Sequence, residues 1–192
     1  LTGLQAVSEI GKDVTGDSLR IMMNEILVSL LGFEGLKKVD GAITVAENPA
    51  LQSFSGLENV MHVVGKNDAG ESLVIKANAE LRNLTALSGV SNELQGALSV
   101  IANNKLDSLK GLENIKAILG KNIYGNAVEI IHNDKLVDLK GIEGLNAHLK
   151  GALVIEHNKA LQRLDGAQVS TIDGANQDGT ALSIVDNAAL SD

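Results

Sequence analysis

Residues 97–112 read Ala97-Leu98-Ser99-Val100-Ile101-Ala102-Asn103-Asn104-Lys105-Leu106-Asp107-Ser108-Leu109-Lys110-Gly111-Leu112. Apolar Leu98 and Val100 alternate with Ser99 and Ile101, the pattern of a half-buried strand. Asn103 follows, then Leu106, Leu109 and a Gly-Leu pair. The same phrase recurs along the whole chain. Asn-x-x-Leu stands at Asn24, Asn48, Asn78, Asn103, Asn133, Asn158 and Asn187, with the leucine three residues on. Apolar residues occupy the positions five and three before each asparagine, from Leu19/Ile21 through Leu182/Ile184.

The asparagines are spaced 24, 30, 25, 30, 25 and 29 residues apart, so the repeat alternates a short and a long rung. Self-similarity at such a period is the mark of a solenoid. A second apolar pair closes each rung, as at Val60/Val63 and Ile115/Ile118, and a glycine usually follows. Seven rungs of one strand pattern predict an all-β solenoid of parallel strands stacked in register, with alternating 25- and 30-residue repeats. Stacked in register, they would extend roughly 34 Å. Residues 1–192 form a single solenoid domain. The chain begins at Leu1 and carries no polar cap at either end, as expected of a segment of a longer array.

Seven identical placements point to a structural duty for the asparagines: an internal ladder in which each amide bonds to backbone or to the next rung.

Composition agrees with thin stacked layers. Apolar residues make up 44% of the chain, yet aromatics are 2%: Phe33, Phe54 and Tyr124. A formal charge of −8 disfavours nucleic acid, whose phosphates require a basic partner. No apolar run approaches the roughly 20 residues of a membrane span. Without cysteine there are no disulfides or thiolate metal sites.

With the repeat in place, the chain resembles the receptor L-domain. The resemblance rests on Leu109-Lys-Gly-Leu-Glu-Asn-Ile-Lys-Ala-Ile-Leu-Gly120 and on Ala127-Val-Glu-Ile-Ile-His-Asn133-Asp-Lys-Leu136. That leucine-rich, right-handed parallel β-helix occurs in insulin- and epidermal-growth-factor-receptor ectodomains and in related fungal cell-wall proteins, and the resemblance implies the same right-handed β-helix here. The resemblance covers the whole chain and implies an extracellular or cell-surface recognition or structural module. Receptor modules are typically bounded by cysteines and carry larger aromatics; this chain has neither, so no functional residue is carried across.

Several local motifs suggest chemistry. Gly120-Lys-Asn-Ile-Tyr-Gly125 suggests half of a phosphate loop, and Gly11–Gly16, Gly65–Gly70 and Gly174–Gly179 stand at the same phase. A phosphate loop requires Lys and Ser/Thr directly after the second glycine. Here those positions read Asp17-Ser18, Glu71-Ser72, Asn126-Ala127 and Thr180-Ala181, so these are spacer loops that lengthen every second rung. His132 and His157 precede the ladder asparagines of adjacent rungs and would stack, but no third zinc ligand stands beside them. Asp68 and Asp178 are the calcium candidates of the spacer loops. Glu129 and Glu156 would be the acids of a carbohydrate-active β-helix enzyme, though no sugar-stacking aromatic accompanies them. Neither cofactor nor metal is expected. Asn83-Leu84-Thr85 is a glycosylation sequon, placing a glycan on Asn83 if the protein passes through a eukaryotic secretory route.

The outward strand positions, four and two residues before each asparagine, are unusually apolar: Met22, Val74, Ile101, Ile131, Val154 and Val185. Arg20, Lys76, Ser99, Glu129, Glu156 and Ser183 interleave with them. An exposed apolar stripe on a sheet is a protein contact surface. The expectation is therefore a non-enzymatic recognition or adhesion module. It would bind a protein partner, or itself, through Val74, Ile101, Ile131, Val154 and Val185, with Tyr124 as a loop contact. The alternative is a structural subunit of an extracellular filament, sheath or wall, assembling through bare solenoid ends.

Overall fold

A computed structural model describes residues 3–90, 92–145 and 148–191. The alternating segments before each asparagine become the strands β2 (Asp17–Met22), β4 (Ala42–Ala46), β6 (Glu71–Lys76), β8 (Ala97–Ile101), β10 (Asn126–Ile131), β12 (Ala152–Glu156) and β14 (Leu182–Val185). They form one seven-stranded parallel sheet in sequence order, a β-solenoid of about seven turns. Register follows the repeat: Leu73 pairs with Leu98, Leu98 with Val128 and Val128 with Leu153. One-residue shifts occur at Asp17/Leu19, Glu71/Leu73 and Asn126/Val128. Each lies where a long rung leaves its spacer loop, so the loop's extra length is absorbed as a bulge.

The second side of the solenoid is lighter. It holds short parallel strands: β1 (Glu9–Ile10), β3 (Lys38–Val39) and β5 (His62–Val63) in one sheet, β7 (Asn92–Leu94) with β9 (Ile115–Ile118), and β11 (His148–Leu149) with β13 (Thr171–Ile172). A single 3-10 turn among the described residues spans Thr85–Leu87.

Between the sides runs a continuous core of Leu, Ile and Val. Leu51, Phe54, Leu57, Leu73, Ile75, Leu98, Val100, Val128 and Ile130 are fully buried. Two backbone devices hold the corners. Before every ladder asparagine one residue adopts a left-handed conformation: Met23, Glu47, Ala77, Ala102, His132, His157 and Asp186, with φ between 52° and 59°. In the turns that follow the ladder, Gly32, Gly56, Gly111 and Gly141 have φ of 113–116°, and the glutamate two residues on holds each N–H. Glu58 Oε2 thus accepts from Gly56 N at 2.8 Å and Glu113 Oε2 from Gly111 N at 2.8 Å.

The asparagines form an unbroken ladder. Asn78 Oδ1 accepts the Asn48 N–H, Asn103 Oδ1 that of Asn78, and Asn133 Oδ1 that of Asn103, at 3.1–3.2 Å. Each amide nitrogen reaches the other way, Asn103 Nδ2 donating to Ile75 O at 2.9 Å and Asn133 Nδ2 to Val100 O at 2.9 Å. Asn48, Asn78, Asn103, Asn133 and Asn158 are wholly buried, so these bonds satisfy backbone groups that water does not reach.

Candidate functional site

The spacer loops are built alike. The second residue after the first glycine, Asp13, Asn67, Asn122 or Asn176, folds its side chain onto the loop's own backbone. In the loop at 120–125 every amide from Asn122 onward is engaged. Asn122 N donates to Asn126 O, and Asn122 Oδ1 takes the Tyr124 and Asn126 N–H groups at 3.0 Å. Asn122 O takes the N–H of Gly125, and Ala69 O takes that of Ile123. None of these N–H groups is left to cradle a phosphate.

Successive loops also bond to one another, two rungs apart. Asp68 N donates to Thr15 O at 2.7 Å, Ile123 N to Ala69 O at 2.8 Å and Gln177 N to Tyr124 O at 2.8 Å. The loops therefore form a rib beside the outer face of the seven-stranded sheet, which changes that face. Of the outward positions four before the asparagines, Val74 is 6% exposed and Val154 4%. Thr44, Ser99 and Glu129 are buried with them. The exposure expected of this column is not found at Val74 or Val154. Ile101 and Ile131 are half-buried, whereas Val185 and Tyr124 are open. The stripe is thus not one continuous apolar surface.

A cleft of about 250 Å³ does bring three of the expected residues together. Val74 and Ile101 line its floor and Tyr124 its rim, with Ala69, Asn122 and Ile123 from the loops and Glu71, Lys76 and Glu129 from the strands. Ile131, Val154 and Val185 are not among its walls. Behind its acidic wall, Glu71 and Glu129 meet on a fully buried serine of the strand between them. Ser99 Oγ lies 2.8 Å from Glu71 Oε1 and 2.9 Å from Glu129 Oε2. Glu129 Oε1 accepts from Asn126 Nδ2 at 2.6 Å. Asn126 is itself buried, and its Oδ1 has no hydrogen-bond partner among the described residues.

Burial pushes the Glu71 carboxyl above the usual glutamate range. The nearby Glu129 charge adds to this, opposed by the Ser99 and Asn67 hydrogen bonds and by Lys76. Glu71 does not figure among the residues expected to act, although Glu129 and Ser99 are recognisable as outward positions. It precedes Asn78 by seven residues, on the far side of the bulge, and strand alternation alone does not bring it to Ser99.

His132 and His157 stack with ring centroids 4.6 Å apart and planes 9° from parallel, and His157 Nδ1 lies 2.8 Å from Asp186 Oδ2. Among the described residues no group of three or more acidic or histidine side chains is placed to hold a metal ion. Glu156 partners Ser183 rather than Glu129. Asn83 Oδ1 accepts from the Thr85 hydroxyl at 2.7 Å inside the sequon. No helix of the described residues is long and apolar enough to cross a membrane. No protein-family model, curated protein or solved structure matches the chain.

Proposed function

We propose that this chain is a non-enzymatic recognition module of the receptor-L-domain type, working outside the cell or at its surface. It binds a protein partner through the cleft between the spacer loops and strands β6, β8 and β10. The observation that carries this reading is the cleft itself, where an open tyrosine and isoleucine stand over an apolar and acidic floor. Tyr124 and Ile123 are 56% and 57% exposed, on a loop whose N–H groups from Asn122 to Asn126 are all bonded. A rigid, exposed aromatic anchor beside a concavity is the arrangement that dominates interface energies. The −8 charge favours a basic partner. The β-solenoid and the short/long rung alternation support the L-domain type, and that type supports the compartment.

Selection of peptides from a random library on the folded chain tests this. Selected peptides should lose binding to a Tyr124→Ala, Ile123→Ser double variant that keeps its thermal stability. Peptides that bind the variant as well as the parent would place recognition elsewhere.

A further inference from the structure

Four aspartates in this chain are followed by glycine: Asp40-Gly41, Asp165-Gly166, Asp173-Gly174 and Asp178-Gly179. Such a pair can rearrange without an enzyme. The glycine amide nitrogen attacks the aspartate Cγ and loses its proton, a carboxyl oxygen leaves as water, and a five-membered succinimide closes. Water then reopens the ring. Breaking the bond from nitrogen to Cγ restores aspartate. Breaking the bond from nitrogen to the main-chain carbonyl carbon leaves the chain running through Cγ, an isoaspartate one methylene longer. Glycine favours closure because no Cβ shields its nitrogen. Closure also requires that amide to turn toward the carboxyl, so a fold that pins the amide suppresses the reaction.

The four amides are not pinned alike. Gly41 N–H donates to Ser18 Oγ at 2.7 Å, and Gly41 is buried. Gly179 N–H donates to Asn176 O at 3.0 Å, inside a turn where Asn176 Oδ1 takes the Asp178 and Thr180 N–H groups at 3.0 and 2.9 Å. Among the described residues nothing accepts the N–H of Gly166 or of Gly174.

Gly166 departs here from its own repeat. At the equivalent corners Glu34, Glu58, Glu113 and Glu143 hold the N–H of the glycine two residues before them at 2.6–2.9 Å, and Gln5 holds that of Gly3 at 2.8 Å. The residue two after Gly166 is Gln168, whose own N–H turns back to Gly166 O at 3.0 Å. The two carboxylates have only surface partners. Asp165 lies 3.3 Å from Arg163 and Asp173 3.4 Å from His148, and all four side chains are at least 44% exposed.

We propose that Asp165 and Asp173 are sites of spontaneous isomerisation to isoaspartate, and that Asp40 and Asp178 are protected by the bonds on the glycines that follow them. Exposure alone ranks the four differently, since Asp178 and Gly179 are both open whereas Gly166 and Gly174 are half-buried. The consequence falls between rungs. Asp165 O accepts the Leu139 N–H at 2.9 Å and Asp173 N–H donates to Leu149 O at 2.8 Å, so each added methylene displaces a bond to the preceding rung.

The test is peptide mapping of the folded 192-residue chain after long incubation at neutral pH, with isoaspartate scored by enzymatic carboxyl methylation and by mass spectrometry. A parallel incubation in denaturant sets the rate that local sequence alone gives each pair. In the folded chain Asp165 and Asp173 should react at least about fivefold faster than Asp40 and Asp178, the population factor that one typical hydrogen bond supplies. Gln168→Glu restores the acceptor of the other corners and should slow Asp165 while leaving Asp173 unchanged. Ser18→Ala, which frees the Gly41 N–H, should speed Asp40. Thermal unfolding checks that both variants fold, and the ranking within the parent chain needs neither of them.

Fastest reaction at Asp178, or equal rates at all four positions of the folded chain, would overturn the proposal. So would isoaspartate that forms at Asp165 and Asp173 only in denaturant. A folded Gln168→Glu variant that isomerises at Asp165 as fast as the parent would show that pinning the amide is not what protects.

Discussion

At the residue scale, the left-handed column is where the fold bears strain. Ala77 and Ala102 adopt φ of 54° and 56°, which costs an L-residue about 1–2 kcal/mol. The conformation persists because the N–H of each bonds to the next strand, Ala102 N to Ile131 O at 2.8 Å, and the following asparagine is pinned. Replacing Ala102 by glycine removes the strain but loosens the unfolded chain. The expected net gain is about 0.5 kcal/mol in urea unfolding, whereas Ala102→Val should lose about 1 kcal/mol or more. The asparagines carry the opposite balance. Asn103→Ala would orphan the buried Asn78 N–H and remove the side-chain bond to the Ile75 carbonyl, and should cost about 2 kcal/mol or more. Asn24, exposed on the outermost rung, should cost under about 1 kcal/mol by the same measurement.

At the scale of the element, the spacer loops explain both the rung length and the character of the outer face. Gly70 has φ +83°, and a Cβ there would lie 2.4 Å from Lys121 O of the next loop. Gly179 has φ +81° with nothing within 4 Å of such a Cβ. Gly179→Ala should therefore cost only the conformational strain, about 1–2 kcal/mol. Gly70→Ala must also push its loop away from the neighbouring one and should cost clearly more; equal losses would show that the rib contributes nothing. The Glu71–Ser99–Glu129 row gives the pH dependence its sign. Because the folded state raises the affinity of Glu71 for its proton, that group's contribution is complete below the usual glutamate range. It is lost as pH rises through the folded value. Glu71→Gln should flatten this decline and leave the protein more stable than the parent at neutral pH.

Legibility divides along the same line. Strand alternation, the asparagine column and the long-rung loops follow from local spacing, because each rung repeats one local solution. Burial of Val74 and Val154 does not. Alternation assigns them to the outer face, but whether that face meets water depends on where loops two rungs apart come to rest. Glu71 escapes a reading by spacing for a related reason: a bulge moves it into line with Ser99 and Glu129.

Over the whole molecule, each strand of the large sheet pairs only with its immediate neighbours, so stability is a sum of rung and interface contributions. Core positions are sealed in the middle, with Leu73, Leu98 and Val128 fully buried, while their equivalents on β14, Leu182 and Ile184, are 49% and 37% exposed. Amide exchange of the 192-residue chain should accordingly be slowest in β6, β8 and β10 and quicken toward β2 and β14. Uniform protection from end to end would instead indicate an all-or-none unit. By itself the sequence determined the solenoid, its seven rungs, their alternation and the asparagine ladder, because those depend on contacts between equivalent positions that recur at a fixed period. Only the tertiary structure decided which outward residues are accessible and which carboxylates meet. The rib joins loops two rungs apart rather than adjacent rungs, and Glu71 and Glu129 converge on Ser99 from non-equivalent positions of the repeat, so strand alternation encodes neither.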